Sequence, residues 1–309
     1  MEAVRTPDER FSGLPGYDFE PHYVDVAKGD PGAAPPLRIH FLDEGPRDAP
    51  ETVLLLHGEP TWSYLYRKMV PPLAAAGHRV LVPDLVGFGR SDKPTDRSDY
   101  TYARHVEWLR EAMFDRVGAT GITLVCQNWG GLLGLRLVAE HPERFVRVVA
   151  ANTGFPLGDG KVNKAFFNWQ RFSQEVPDFS AGAIVSMATV TDVPADVVAA
   201  YDAPYPDERF LAGARQFPML VPTSPDDPAA AANRAAWDAL RRFDRPFLCA
   251  FSDSDPIFSG TDGRFREEIP GAAGQPHTTI AGAGHFLQED GGEALASVVL
   301  EFMGRTPTA

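Results

Sequence analysis

The sequence predicts an α/β fold: a mainly parallel, doubly wound sheet with helices on both faces and an inserted helical cap domain. Two observations predict it. Six short aliphatic runs alternate with amphipathic helical patterns, the rhythm of strands joined by helical crossovers. That alternation lapses from about Thr153 to Ala232 and then resumes.

The elements follow in chain order. The first ~35 residues read as an extended arm lying on the body. Val53–Leu56 is a buried strand stopped by His57-Gly58, and Val80–Val82 a second stopped by Pro83-Asp84. Ile122–Val125 runs into Gln127-Asn128-Trp129-Gly130-Gly131, and Val146–Ala150 is a fourth run. Phe247–Phe251 and Thr278–Ile280 complete the six. Helical patterns occupy Tyr102–Val117, Leu132–Glu140 and Glu293–Met303. The interruption carries helical pieces at Ala165–Phe172 and Ala181–Met187, with Pro-rich turns around Ala203–Pro206 and Val221–Pro228. The expected division is a core of 1–154 and 232–309 with a helical cap at 155–231.

Composition narrows the function. The 309 residues carry 29 basic and 42 acidic side chains, a formal charge of −13 that disfavours nucleic acid as a partner. Cys126 and Cys249 are the only cysteines, which excludes a disulfide framework and a multi-cysteine metal site. No window approaches a membrane span, so no membrane partner is expected. Met1–Tyr17 lacks the apolar run of a secretory leader, so a cytoplasmic protein is expected. Oligomeric state is not readable.

In open parallel sheets, ligands bind beyond the carboxyl ends of the strands. Cys126-Gln127-Asn128-Trp129-Gly130 has small residues flanking a central one between a strand and a helix, the pattern of a nucleophile elbow. The central residue normally carries Ser, Cys or Asp; Asn128 is a neutral amide and a poor nucleophile. Asp255 follows the fifth run and His285 the sixth. Singly, these read as a turn former and a loop histidine. The order elbow, acid, histidine is that of α/β-hydrolases, in which the acid orients the imidazole. The loop His57-Gly58-Glu59-Pro60 would supply one oxyanion-hole N–H from Glu59, and Trp129 the other. The remaining histidines lack ligand spacing, and no metal or organic cofactor is implied.

Longer strings carry a resemblance. Arg5–Phe11, His57-Gly58-Glu59-Pro60-Thr61-Trp62 through Met69, Gly87-Phe88-Gly89-Arg90-Ser91-Asp92-Lys93-Pro94 and Ala283-Gly284-His285-Phe286 resemble the haloalkane dehalogenases, a branch of the α/β-hydrolase family, over nearly the whole chain. The resemblance implies hydrolytic cleavage of carbon–halogen bonds. An Asp at position 128 attacks the halogen-bearing carbon, halide leaves, and His285, held by Asp255, activates the water that hydrolyses the alkyl ester. It implies a small haloalkane and a halide ion as partners. Trp129 and, from the cap, Trp169 would donate indole N–H to the halide. Phe166, Phe172 and Phe217 are placed in an apolar pocket. Tyr201 and Tyr205, the donors an epoxide hydrolase of this fold would use, are read as structural.

The departure is Asn128, where the family carries Asp. The swap is nearly isosteric, so the scaffold survives and the nucleophile is lost. Three accounts stay open: a substitution made to block alkylation, a natural binding protein without turnover, and deamidation in place that restores Asp. The competing functions are an epoxide hydrolase and a non-catalytic binder of small apolar ligands.

Overall fold

The computed structural model describes residues 1–27 and 36–307. The central sheet has eight strands: β1 His22–Val26, β2 Leu37–Glu44, β3 Thr52–Leu56, β4 Arg79–Pro83, β5 Ile122–Gln127, β6 Phe145–Ala151, β7 Phe247–Ser252 and β8 Thr278–Ile280. Their order is β8-β7-β6-β5-β3-β4-β2-β1. β3 through β8 pair in parallel, while β1 and β2 join antiparallel at one edge. Every residue of β3 and β5 is buried, as expected of strands covered on both faces. Parallel pairing sets the carboxyl ends of β3, β5, β7 and β8 along one rim.

Helices α1 Val70–Ala75, α2 Tyr102–Arg110 and α3 Trp129–Glu140 cross over between the early strands. Between β6 and β7 come α4 Lys164–Glu175, α5 Ala181–Ala188, α6 Ala195–Asp202, α7 Ala212–Leu220 and α8 Ala230–Leu240. The last of these packs on α3 of the core, where Asn233 accepts from Arg136 at 3.0 Å. Helices α9 Asp262–Glu268 and α10 Leu287–Arg305 close the chain, α10 kinking at Gly291.

The N-terminal segment is more than the expected arm. Ala3–Val4 does lie on the body, pairing with Lys93–Pro94, and Arg10 donates to the Ala203 carbonyl of the inserted segment at 2.7 Å. His22–Val26 instead becomes the edge strand β1, paired with β2. Residues 28–35 of the expected arm lie outside the described residues. The polar letters of β2 disguised it: His40 is fully buried because its Nδ1 meets Asp84 Oδ2 at 2.7 Å. The inserted segment holds two helices, α6 and α7, beyond those expected. Pro residues flank the first, and Pro218 sits inside the second, which blurs the helical period.

A buried charge cluster pins the insertion to the core. Glu289 of α10 takes both guanidinium arms of Arg67 at 2.7 Å and the Tyr201 hydroxyl of α6 at 2.6 Å. Burial pushes the Glu289 carboxyl up, but Arg67 outweighs it and holds it at about 2. A carboxyl held below its ordinary 4.5 stabilises the fold fully above that pH and loses this contribution as the pH falls toward about 2. Urea-unfolding midpoints measured from pH 6 to pH 3 should fall, and Glu289→Gln should flatten that decline while lowering stability at pH 6. The cost at pH 6 is expected to be on the order of 3 kcal/mol.

Candidate active site

The site grows from the turn between β5 and α3. Asn128 sits at φ 51°, ψ −122°, outside the ordinary L-residue basins, and surrounding contacts hold it there. Its N–H donates to the Asn152 carbonyl at 3.0 Å, and its carbonyl accepts from Thr153 Oγ1 at 2.8 Å. The turn must be crowded to be this sharp. A Cβ on Gly130 would run into the Leu56 carbonyl, and one on Gly131 into Thr153. The glycines flanking the elbow are therefore steric requirements.

The Asn128 side chain is gripped at both ends. Its Oδ1 accepts from the Glu59 backbone N–H at 3.1 Å, and its Nδ2 donates to His285 Nε2 at 3.3 Å. His285 Nδ1 then donates to Asp255 Oδ2 at 3.0 Å, and Asp255 Oδ1 accepts the Ile257 N–H at 2.8 Å. This chain of donors fixes one tautomer, with the proton on Nδ1 and a lone pair on Nε2 facing the elbow. Burial acts to raise the Asp255 carboxyl, but the nearby imidazole outweighs it and the carboxyl lies below its usual range. The imidazole is also held by its backbone. The His285 carbonyl accepts from Gln127 Nε2 at 3.0 Å and Asn152 Nδ2 at 3.1 Å.

Above this row lies a cavity of about 450 Å³, floored by Glu59, Asn128, Trp129 and His285 and roofed by Phe166 and Trp169 of α4. The Glu59 carboxyl is fully buried; burial pushes it well above the ordinary carboxylate range, against a smaller pull from the Trp169 indole.

Two of the three expected pocket phenylalanines are elsewhere. Phe166 lines the cavity, whereas Phe172 is 38% exposed near the end of α4 and lies outside the lining. Phe217 is fully buried behind the site, its ring 4.6 Å from Trp129 and 4.7 Å from Phe88. It buttresses an indole rather than touching the cavity. Helical spacing selects a stripe of aromatics but not which of them reaches the lumen.

The structure adds residues the sequence reading missed. Phe258 lines the cavity and stacks on His285 with rings 5.7 Å apart, three positions after the acid. Asn152 braces both the elbow and the histidine and Thr153 the elbow, at the end of β6 where a strand-end search would find them. Tyr201 and Tyr205 turn away from the cavity. Their hydroxyls donate to Glu289 at 2.6 Å and to the Pro60 carbonyl at 3.1 Å.

The chain is similar to known proteins over nearly its whole length. The family model of the alpha/beta hydrolase fold matches residues 51–292. The haloalkane dehalogenase of Psychrobacter cryohalolentis is 56% identical over 307 residues, covering 99% of this chain and 100% of that protein. Haloalkane dehalogenase 1 of Mycobacterium bovis is 56% identical over 306 residues, again 99% of this chain and 100% of that one. Among solved structures, the tetrameric haloalkane dehalogenase DpaA from Paraglaciecola agarilytica NO2 superposes with a TM-score of 0.89 at 36% identity, over 97% of this chain and 98% of that one. By these matches over nearly its whole length, the chain belongs to the haloalkane dehalogenases, hydrolases of carbon–halogen bonds built on the α/β-hydrolase fold.

Proposed function

We propose that this chain binds a small haloalkane and a halide ion in the cavity above Asn128, and does not turn substrate over as written. The single observation behind this reading is the grip on the Asn128 amide. Its Oδ1 occupies the oxyanion position against the Glu59 N–H, and its Nδ2 hydrogen-bonds the histidine lone pair. A neutral amide offers no anionic oxygen to attack carbon, and its N–H caps the base that would activate water.

With Asp at position 128 the same geometry supports a two-step displacement. A carboxylate oxygen attacks the halogen-bearing carbon and the carbon–halogen bond breaks, leaving an alkyl ester and a halide ion. The halide is received by the indoles of Trp129 and Trp169. His285 Nε2 takes a proton from water, because Nδ1 is already committed to Asp255, and the hydroxide adds to the ester carbonyl. The developing oxyanion meets the Glu59 N–H and, in this reading, the Trp129 N–H. As the intermediate collapses, the imidazolium returns its proton to the departing alkoxide, the alcohol leaves, and the acid at position 128 loses its proton to solvent to restore the carboxylate. Residues 155–231 act as the cap and 1–154 with 232–309 as the core. The epoxide-opening alternative finds no support, since both candidate tyrosine hydroxyls are engaged outside the cavity.

Halide binding tests this reading without turnover. Bromide should quench the intrinsic tryptophan fluorescence of the chain saturably. Trp169→Phe should raise the bromide Kd by about tenfold or more, the worth of one hydrogen bond to an ion, and Tyr205→Phe should leave it unchanged. A linear, unsaturable response would refute the halide site.

A further inference from the structure

Glu59 does more in this structure than present a backbone N–H. It is only 3% exposed and lines the same cavity as Trp129 and Trp169. Oε1 of its carboxyl has no hydrogen-bond partner among the described residues, and the Trp169 indole lines the same cavity and pulls the carboxyl only weakly toward its charged form. No lysine or arginine among the described residues pairs with it. The charged groups that share the cavity are engaged elsewhere. His285 is held by Asp255, and Asp159 lies 3.6 Å from Arg264 and 4.0 Å from Lys161. The Tyr205 hydroxyl on the cap side donates to Pro60.

A buried carboxylate with no cation beside it is costly, and such a group takes up a proton instead. An ionised Glu59 would also occupy the Trp169 indole and repel an anion from the lumen. A neutral one competes far less for the indole N–H, leaving it to the anion, and carries a hydroxyl for which no acceptor is found among the described residues. A partnerless donor in the wall of an apolar cavity is suited to an anion.

We propose that the Glu59 carboxyl, held as the neutral acid, is a third hydrogen-bond donor to the halide beside the indoles of Trp129 and Trp169. The inference rests on the halide-site reading above and assigns the side chain a role distinct from the backbone N–H of the same residue. The direction of the Glu59 titration, set by burial, agrees with it. The hydroxyl meets charge that appears only as the carbon–halogen bond breaks, so in the Asn128→Asp variant it would favour departure of the leaving group.

The test uses the chain with Asn128, where no turnover intrudes, and reads bromide Kd at pH 7 from tryptophan fluorescence. Glu59→Gln keeps a neutral donor and should leave the Kd within about threefold. Glu59→Met and Glu59→Leu remove the donor and should raise it about tenfold or more. Two apolar replacements are used so that a folding defect in one, seen by circular dichroism, leaves the other. Tightening of about tenfold in Glu59→Gln would show that Glu59 was an ionised, repelling carboxylate and overturn the proposal. An unchanged Kd in the apolar variants would overturn it too, while leaving the two-indole halide site standing. Loss of saturable binding in the parent chain would remove the halide site itself, and this proposal with it.

Discussion

Asn128→Asp is expected to raise bromide release from a short terminal bromoalkane by roughly 10⁴-fold or more over the chain with Asn128, by analogy with removal of a catalytic nucleophile. The substitution adds no atoms and removes no packing. It exchanges an N–H donor for an anionic oxygen at a position already set by the Asn152 carbonyl, Thr153 Oγ1 and the Glu59 N–H. It also frees His285 Nε2 from the amide that hydrogen-bonds it at 3.3 Å. Bromide release followed by ion chromatography, with both proteins side by side, decides the matter. If the Asn128→Asp variant folds and binds bromide but releases none, the displacement mechanism fails, and a binding protein becomes the better account.

His285→Gln, made in the Asn128→Asp background, should split the reaction in two. Attack on carbon needs only the carboxylate, so one bromide per protein should appear in a burst. Ester hydrolysis needs the base and should slow by roughly 10²- to 10⁴-fold. Intact mass should then show the protein heavier by one alkyl group, and peptide mapping should place it on residue 128. A variant that turned over steadily would show that water is activated by some other group. One with no burst would show that the imidazole is needed before the ester forms.

The parts of this protein written in single short segments were legible from the sequence. The six parallel strands are almost wholly apolar because helices cover both of their faces, and each run ends in loop-forming residues. The triad positions could be read because each follows one of those strands, and parallel pairing brings strand ends to one rim. The edge strands β1 and β2 were harder. Their polar residues acquire partners only in three dimensions, as His40 does with Asp84 at 2.7 Å. Helices α6 and α7 were obscured by proline for a similar local reason.

Contacts between distant segments were not legible at all. Phe166, Trp169 and Phe172 share a helical stripe, yet only the first two reach the cavity. Phe217 serves the site by supporting Trp129 from behind. Tyr201 could be assigned only once Glu289 and Arg67 were found around its hydroxyl, 88 and 134 positions away in the chain. The sequence by itself determined the fold class, the order of elbow, acid and histidine, and the missing charge at 128, because each is a property of residue type and local order. Tertiary structure decided which aromatics line the lumen, which tautomer His285 holds and that Glu59 is buried with no cation beside it among the described residues, because burial and pairing depend on which chain segments meet.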